Sequence, residues 1–188
     1  MFPTATWSMP TQPGRKQSAA LARLLPYLEQ SSLFKRYDFR VNWFDAPNPA
    51  VIQTQLSVFQ CPSTPNGNRL DTKLITVGGV NFSGPRACAD YAPTEGVGSL
   101  LTGTGLVDVQ SEGCPGALQV NFTQCRMADI RDGASSTITI AEDAGRPVWY
   151  IRGKIESMNT VLPGGGWADD EQDFFLHGAK SDALASPP

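Results

Sequence analysis

The clearest pattern in the chain is Leu21, Leu24, Leu25 and Leu28, which recur at i, i+3, i+4 and i+7. That spacing puts four leucines on one side of a helix. It predicts a helix over residues 18–25, capped by Ser18, with the leucine stripe facing a sheet. Pro26 removes a backbone donor and clashes with the preceding turn, so the axis changes there. Ser31 and Ser32 offer a second cap before residues 33–37. Asn48-Pro49 reads as a helix start, with Asn at the cap and Pro at the first helical position. That helix would run to residue 56.

Strand signals follow. Residues 57–60 read as a strand leading into Cys61. Leu74, Ile75 and Val77 mark a β-rich run that Gly78-Gly79 breaks and residues 80–82 resume. Residues 118–122 form a short strand candidate, and 128–133 a single helical turn closed by Gly133. Residues 137–142 alternate Thr with Ile, the period of a half-buried strand. Ile138 and Ile140 should then be buried on one face of a central strand, with Glu142 at its end bonded to backbone groups or to an arginine. Residues 148–153 are another strand, and 174–177 a last short apolar run. Residues 94–117 and 159–173 read as long loops rich in Gly and polar residues. The expected organisation is an extended lead-in (1–17), one globular head (18–178) and a flexible tail (179–188).

Composition sharpens this picture. The 188 residues include 18 glycines and 15 prolines without a repeating period. That disfavours long helices and excludes collagen. Hydrophobic residues make up 40%, enough for a folded core, while charged residues make up only 18%. The net charge of −3 and the lack of a basic cluster argue against a nucleic-acid partner. No run approaches the roughly 20 apolar residues of a membrane span. Cys61, Cys88, Cys114 and Cys125 all sit in turn-like contexts without a C-x-x-C. An even number of loop cysteines in a chain of low charge points to an oxidised, exported protein. Closing the shorter loops pairs Cys61 with Cys88 and Cys114 with Cys125.

Candidate chemistry is sparse. There is no nucleophile elbow, zinc-protease helix, phosphate loop or dinucleotide fingerprint. His177 is the only histidine. Asp129, Asp132, Glu142 and Asp143 flank one turn and one strand. They are candidates for a Ca²⁺ site, which needs six to eight oxygens, or, with His177 but without Asp129, for acid/base catalysis. The competing reading is local capping. Asp169, Asp170, Glu171 and Asp173 fall in a glycine-rich loop and read as solvated surface, with a cation site as the alternative. Of four tryptophans, Trp167 follows three glycines and is the best candidate for an exposed sugar-stacking ring, with Asp169 and Asp170 as its polar partners. The competing reading places the tryptophans in the core.

Several words resemble a family of exported proteins abundant in planctomycete-type bacteria, known as DUF1559. They are Leu24-Leu25-Pro26-Tyr27-Leu28-Glu29-Gln30, Phe59-Gln60-Cys61-Pro62-Ser63, Ala89-Asp90-Tyr91-Ala92, Asp129-Ile130-Arg131-Asp132-Gly133-Ala134-Ser135-Ser136-Thr137 and Ile140-Ala141-Glu142. The resemblance implies a pseudopilin-like protein, with an N-terminal export helix and a mixed α/β head, whose molecular function is unknown. The sequence departs from it at both ends. The hydrophobic N-terminal helix is absent, and no Asp-Gly follows His177 to complete the family's H-x9-DG motif, so a fragment of the head is expected. The combined expectation is an α+β, pseudopilin-like head, its helix packed on an antiparallel sheet with long Gly/Pro-rich loops. It would be extracellular or cell-surface, non-enzymatic and without a cofactor, Ca²⁺ being the one candidate. Its partners would be other cell-surface or pilin-like proteins, or extracellular polysaccharide. The rivals are a glycan-binding module at Trp167 and a carboxylate-based hydrolase.

Overall fold

The structure, a computed structural model, describes residues 6–7, 16–77, 79–98, 101, 116–118, 121, 125–131, 133–151, 154–157 and 162–176. Pro26 divides the first helical segment. Strand β1 (Thr6–Trp7) pairs antiparallel with β2 (Ser18–Ala19), which leads directly into helix α1 (Ala20–Leu24). A 3-10 turn, Leu25–Leu28, follows with Pro26 in its first turn and ends on Glu29 in a left-handed conformation. Leu21 and Leu25 are buried, and Leu24 and Leu28 pack against the same core. The stripe meets an aromatic cluster rather than the face of an extended sheet. Ser18 is not the cap: its backbone is in a strand, and its hydroxyl accepts from Arg23 Nη2 at 3.2 Å. Helix α2 (Ser31–Arg36) likewise starts without a side-chain cap from either serine.

Two expected elements are replaced by tight turns. Residues 48–56 form only a 3-10 turn, Asn48–Ala50, before bending away. The Asn48 side chain is committed elsewhere. It accepts from Asp38 N at 2.8 Å and donates to the carbonyls of Asp38 (3.0 Å) and Asn42 (3.1 Å). That ties down the preceding loop instead of capping a helix. Ser57–Phe59 is a 3-10 turn, not a strand, and it points Phe59 into the core.

The strands are short. β3 (Leu70–Asp71) pairs with β6 (Arg86–Ala87). β4 (Ile75–Val77) and β5 (Val80–Phe82) form the hairpin that Gly78-Gly79 announced. β7 (Tyr91–Val97) is the centre of a three-stranded sheet, with β8 (Ile140–Glu142) antiparallel on one side and β11 (Phe174–Leu176) parallel on the other. β9 (Trp149–Ile151) pairs with β10 (Lys154–Ser157). The protein is thus α+β, with small helices and mostly antiparallel pairs.

The sheet corrects three expectations. Residues 94–97 belong to its central strand, because β11 pairs along them and Thr94 N donates to Thr139 O on the other edge, despite the polar composition. β8 is an edge strand in which Ile140 is only half-buried, and Ile138 falls before the strand begins and is 58% exposed. The β11 pairing is parallel. The expected strand at 118–122 falls largely outside the described residues, although Leu118 is buried in a bend.

The core lies between the leucine stripe and residues 43–59, 75, 87–89 and 167–168. Trp43 and Trp167 are fully buried. Trp43 meets Phe44 and Phe82 edge-on at centroid distances of 5.4 and 5.2 Å, a favoured aromatic geometry. Removing the buried Leu25 side chain leaves a cavity, so Leu25→Ala should cost about 2–5 kcal/mol. Ile138→Ala, at an exposed position before β8, should stay within about 0.5 kcal/mol of wild type. Urea denaturation of both variants checks this, and equal midpoints would contradict the placement of the core.

Candidate functional site

A buried carboxylate organises the loops. Asp90 stands just before β7 and is fully buried. Its Oδ1 forms a short ion pair with Arg69 Nη2 and accepts from Gly145 N at 3.1 Å. Its Oδ2 accepts from Cys61 N at 3.0 Å. Its backbone N–H donates to Phe59 O and its carbonyl accepts from Asp143 N, both at 2.8 Å. The words around Cys61 and Asp90 thus meet at this side chain, and the word ending at Glu142 joins the second of them by pairing with Tyr91 and Ala92. Arg69 also reaches the carbonyl of Arg146 at 3.2 Å, and Lys73 Nζ that of Pro147 at 3.1 Å. The turn that follows β8 is thus braced at four points.

A second buried system holds the segment 164–172. Arg86 is 1% exposed and binds Asp71 at 2.5 Å from β6 to β3. Its Nε lies 3.5 Å from Asp169 Oδ2. Neither of those two atoms has a hydrogen bond among the described residues. Asp170 accepts from the Trp43 indole at 2.8 Å and from Gln17 Nε2 at 3.1 Å. The glycines before Trp167 allow this approach. A Cβ at Gly165 would sit 3.0 Å from Asp71 Oδ2, and one at Gly164, where φ is +71°, would strike Glu171 O. Burial pushes the Asp169 carboxyl up to about 7, with Asp170 adding repulsion and the Glu171 N–H and Arg86 opposing it. Burial pushes Asp170 up to about 6 against the Trp43 hydrogen bond.

A cleft of about 630 Å³ opens beside these two braced segments. Arg146, from the turn after β8, forms part of one wall, bonded to Asp143 at 2.5 Å and to Pro163 O at 2.8 Å. Glu95 of β7 and Asp173, just before β11, line it as well. The two acids are neighbours, and each disfavours the charge of the other. Burial and this neighbour push Glu95 up to about 8. Burial, then the Asp173 charge, also raise Glu171. Trp149, Tyr150 and Phe175 supply ring surface to the same cleft.

The residues expected to carry chemistry are dispersed. Asp129 caps its own turn, accepting from Arg126 N at 2.7 Å. Glu142 is exposed at the sheet edge and has no hydrogen-bond or ion-pair partner among the described residues, so it does not anchor the turn before it. Its neighbour Asp143 takes the arginine instead. Asp132 and His177 lie outside the described residues. Among the described residues no group of acidic, histidine or cysteine side chains is arranged to hold a metal. Trp167 is 0% exposed, its indole donating to Thr54 O at 3.1 Å, so it belongs to the core and offers no stacking face. Asp169 and Asp170 are buried with it rather than solvated.

Cys61, Cys88 and Cys125 are free thiols, which overturns both expected disulfides. Cys114 lies outside the described residues. Cys88 is closed in by the Gly166 bridge and the Arg69 carbonyl. Burial pushes its thiol up to about 11.

Asp71, Arg86, Arg69, Asp90 and Glu95 were missed as site residues. Asp90 was visible only as part of a family word. The partners in each pair lie 15 and 21 residues apart, which no spacing rule links.

In comparison with known proteins, the family model SBP_bac_10, described as "Protein of unknown function (DUF1559)", matches residues 1–175. No curated protein and no solved structure matches the chain.

Two outcomes follow from the buried groups. Asp169 and Asp170 hold protons in the folded state that an unfolded carboxylate, of pKa near ~3.9, has released. Their contribution to stability is complete below about pH 4 and is lost as pH rises through 6 to 7. Asp169→Asn should therefore shrink the fall in stability between pH 5 and pH 8, read by urea denaturation. An unchanged fall would contradict the burial of this acid. The thiolate is the reactive form of cysteine, so iodoacetamide should label Cys61 in the native protein well before Cys88. Peptide mapping of a Cys61–Cys88 cystine would contradict the free thiols.

Proposed function

Because the chain belongs to the DUF1559 family, we propose that it is the head of a pseudopilin-like protein exported to the cell surface. There it serves in assembly or in interaction with other cell-surface or pilin-like proteins, and not in catalysis. The observation that supports the reading is that Asp90, from one family word, is buried and holds the backbone of Cys61, from another, together with the turn after β8. That carboxylate is spent on a buried framework that fixes loops, the use expected of a rigid presenting domain. A hydrolase built on Glu142, Asp143 and Asp132 has less support, since Glu142 stands on an open strand edge and Asp143 is engaged by Arg146. Among the described residues no helix is long and apolar enough to cross a membrane.

The test is topological. The full-length protein, epitope-tagged beside this region and produced in its natural host, should lose the tag when trypsin is added to intact cells while a cytoplasmic marker survives. A tag protected until the cells are lysed would contradict the reading.

A further inference from the structure

The cleft beside the Asp143–Tyr150 turn combines three features that the framework does not require. The first is ring surface. Phe175 is 44% exposed although it belongs to β11, and it lines the cleft with Trp149 and Tyr150. Tyr150 is seated firmly: a Cβ at Gly145, where φ is +102°, would come within 2.9 Å of its ring. The second is a fixed set of hydrogen-bonding groups. Glu95 and Asp173 both line the cleft with carboxyl groups, which can accept hydrogen bonds from hydroxyls. Arg146 is held on two sides by Asp143 and Pro163. The third is extent. Ala144 and Tyr150 also line a second recess of about 320 Å³, which contains Ser63, Thr64 and Glu142. Thr64 Oγ1 is buried there without a hydrogen-bond partner among the described residues. The volumes fall within or near the range of about 300–1,000 Å³ typical of ligand sites.

We propose that this groove binds a saccharide chain, one sugar lying on the Phe175 and Tyr150 rings with its hydroxyls on Glu95, Asp173 and Arg146, and the next reaching towards Thr64. A pyranose matches both surfaces, since its C–H face is apolar and its hydroxyls both donate and accept. The charge balance narrows the class. Glu95, Asp143, Glu171 and Asp173 face a single arginine in the main cleft, so the ligand is a neutral or amino sugar and not a uronate or phosphorylated one. This site is separate from the buried Trp167 and does not depend on where the protein resides.

The experiment is calorimetric titration of the chain with four probes: cellotetraose, N-acetylglucosamine tetramer, glucosamine tetramer and tetragalacturonate. Saturable binding of at least one of the first three, with none of the fourth, is expected. Phe175→Leu keeps an apolar residue on the edge strand but removes the planar ring. It should weaken binding at least tenfold, equivalent to about 1.4 kcal/mol, with an unchanged melting temperature. Glu95→Gln should weaken it comparably. Tyr27→Ala removes a ring that is 82% exposed and does not line the cleft, and it should leave binding as it was. Absence of binding to all four probes would overturn the proposal. So would tightest binding of tetragalacturonate, undiminished affinity in Phe175→Leu, or loss in Tyr27→Ala.

Discussion

The structure depends on charge buried where short strands meet. Asp90 with Arg69, and Arg86 with Asp71 and Asp169, lie in the interior and join segments far apart in the chain. Removing two charges from water is costly, and their attraction offsets that cost only when further hydrogen bonds saturate the remaining sites. Asp90 meets this condition, with Arg69, Gly145 N and Cys61 N around its two oxygens. Asp169 does not, since Arg86 Nε stands 3.5 Å away without a hydrogen bond. The two carboxylates therefore have different characters. One is a clamp whose oxygens are saturated by an arginine and two backbone N–H groups, and the other is pushed by burial up to about 7.

This arrangement suits a chain with so little regular structure. Strands of two to four residues, apart from β7, supply few ladder bonds. Buried carboxylates then collect the backbone donors that such loops leave open, as a buried N–H without a partner is costly. The cleft inherits its shape from this. One wall hangs from Asp90, Arg69 and Lys73, and the segment that leads to Glu171 and Asp173 is held by Arg86 and the Trp43–Asp170 bond. A site formed from loops on such a framework is positioned without a large sheet beneath it.

Elements set by local pattern were legible in the sequence. The leucine stripe placed the helix and its break at Pro26, the Gly-Gly break marked the β4–β5 hairpin, and the apolar run near Trp149 gave β9. Elements set by distant partners were not. Residues 94–97 look like loop until β11 pairs with them, and the Thr/Ile alternation at 137–142 reads as central although the strand lies at an edge. The aspartates at 169 and 170 look solvated beside glycines, yet Gln17 and Trp43 are 153 and 127 residues from Asp170 in sequence. Trp167 was misplaced for the same reason. The glycines before it admit Arg86 and Asp71 to a crowded interior, whereas in the sequence they resemble an exposed loop. The four cysteines suggested staples, but the loops around Cys61 and Cys88 are joined by Asp90 and by strand pairing.

The central claim is that Asp90 and Arg69 act as one unit. The most direct measurement is a double-mutant cycle by urea denaturation with Asp90→Ala, Arg69→Met and the double variant. Leaving either charge buried alone is expected to cost about 3–5 kcal/mol, whereas losing both removes the uncompensated charge. The double variant should therefore be no less stable than the worse single variant. Costs that simply add would contradict the account.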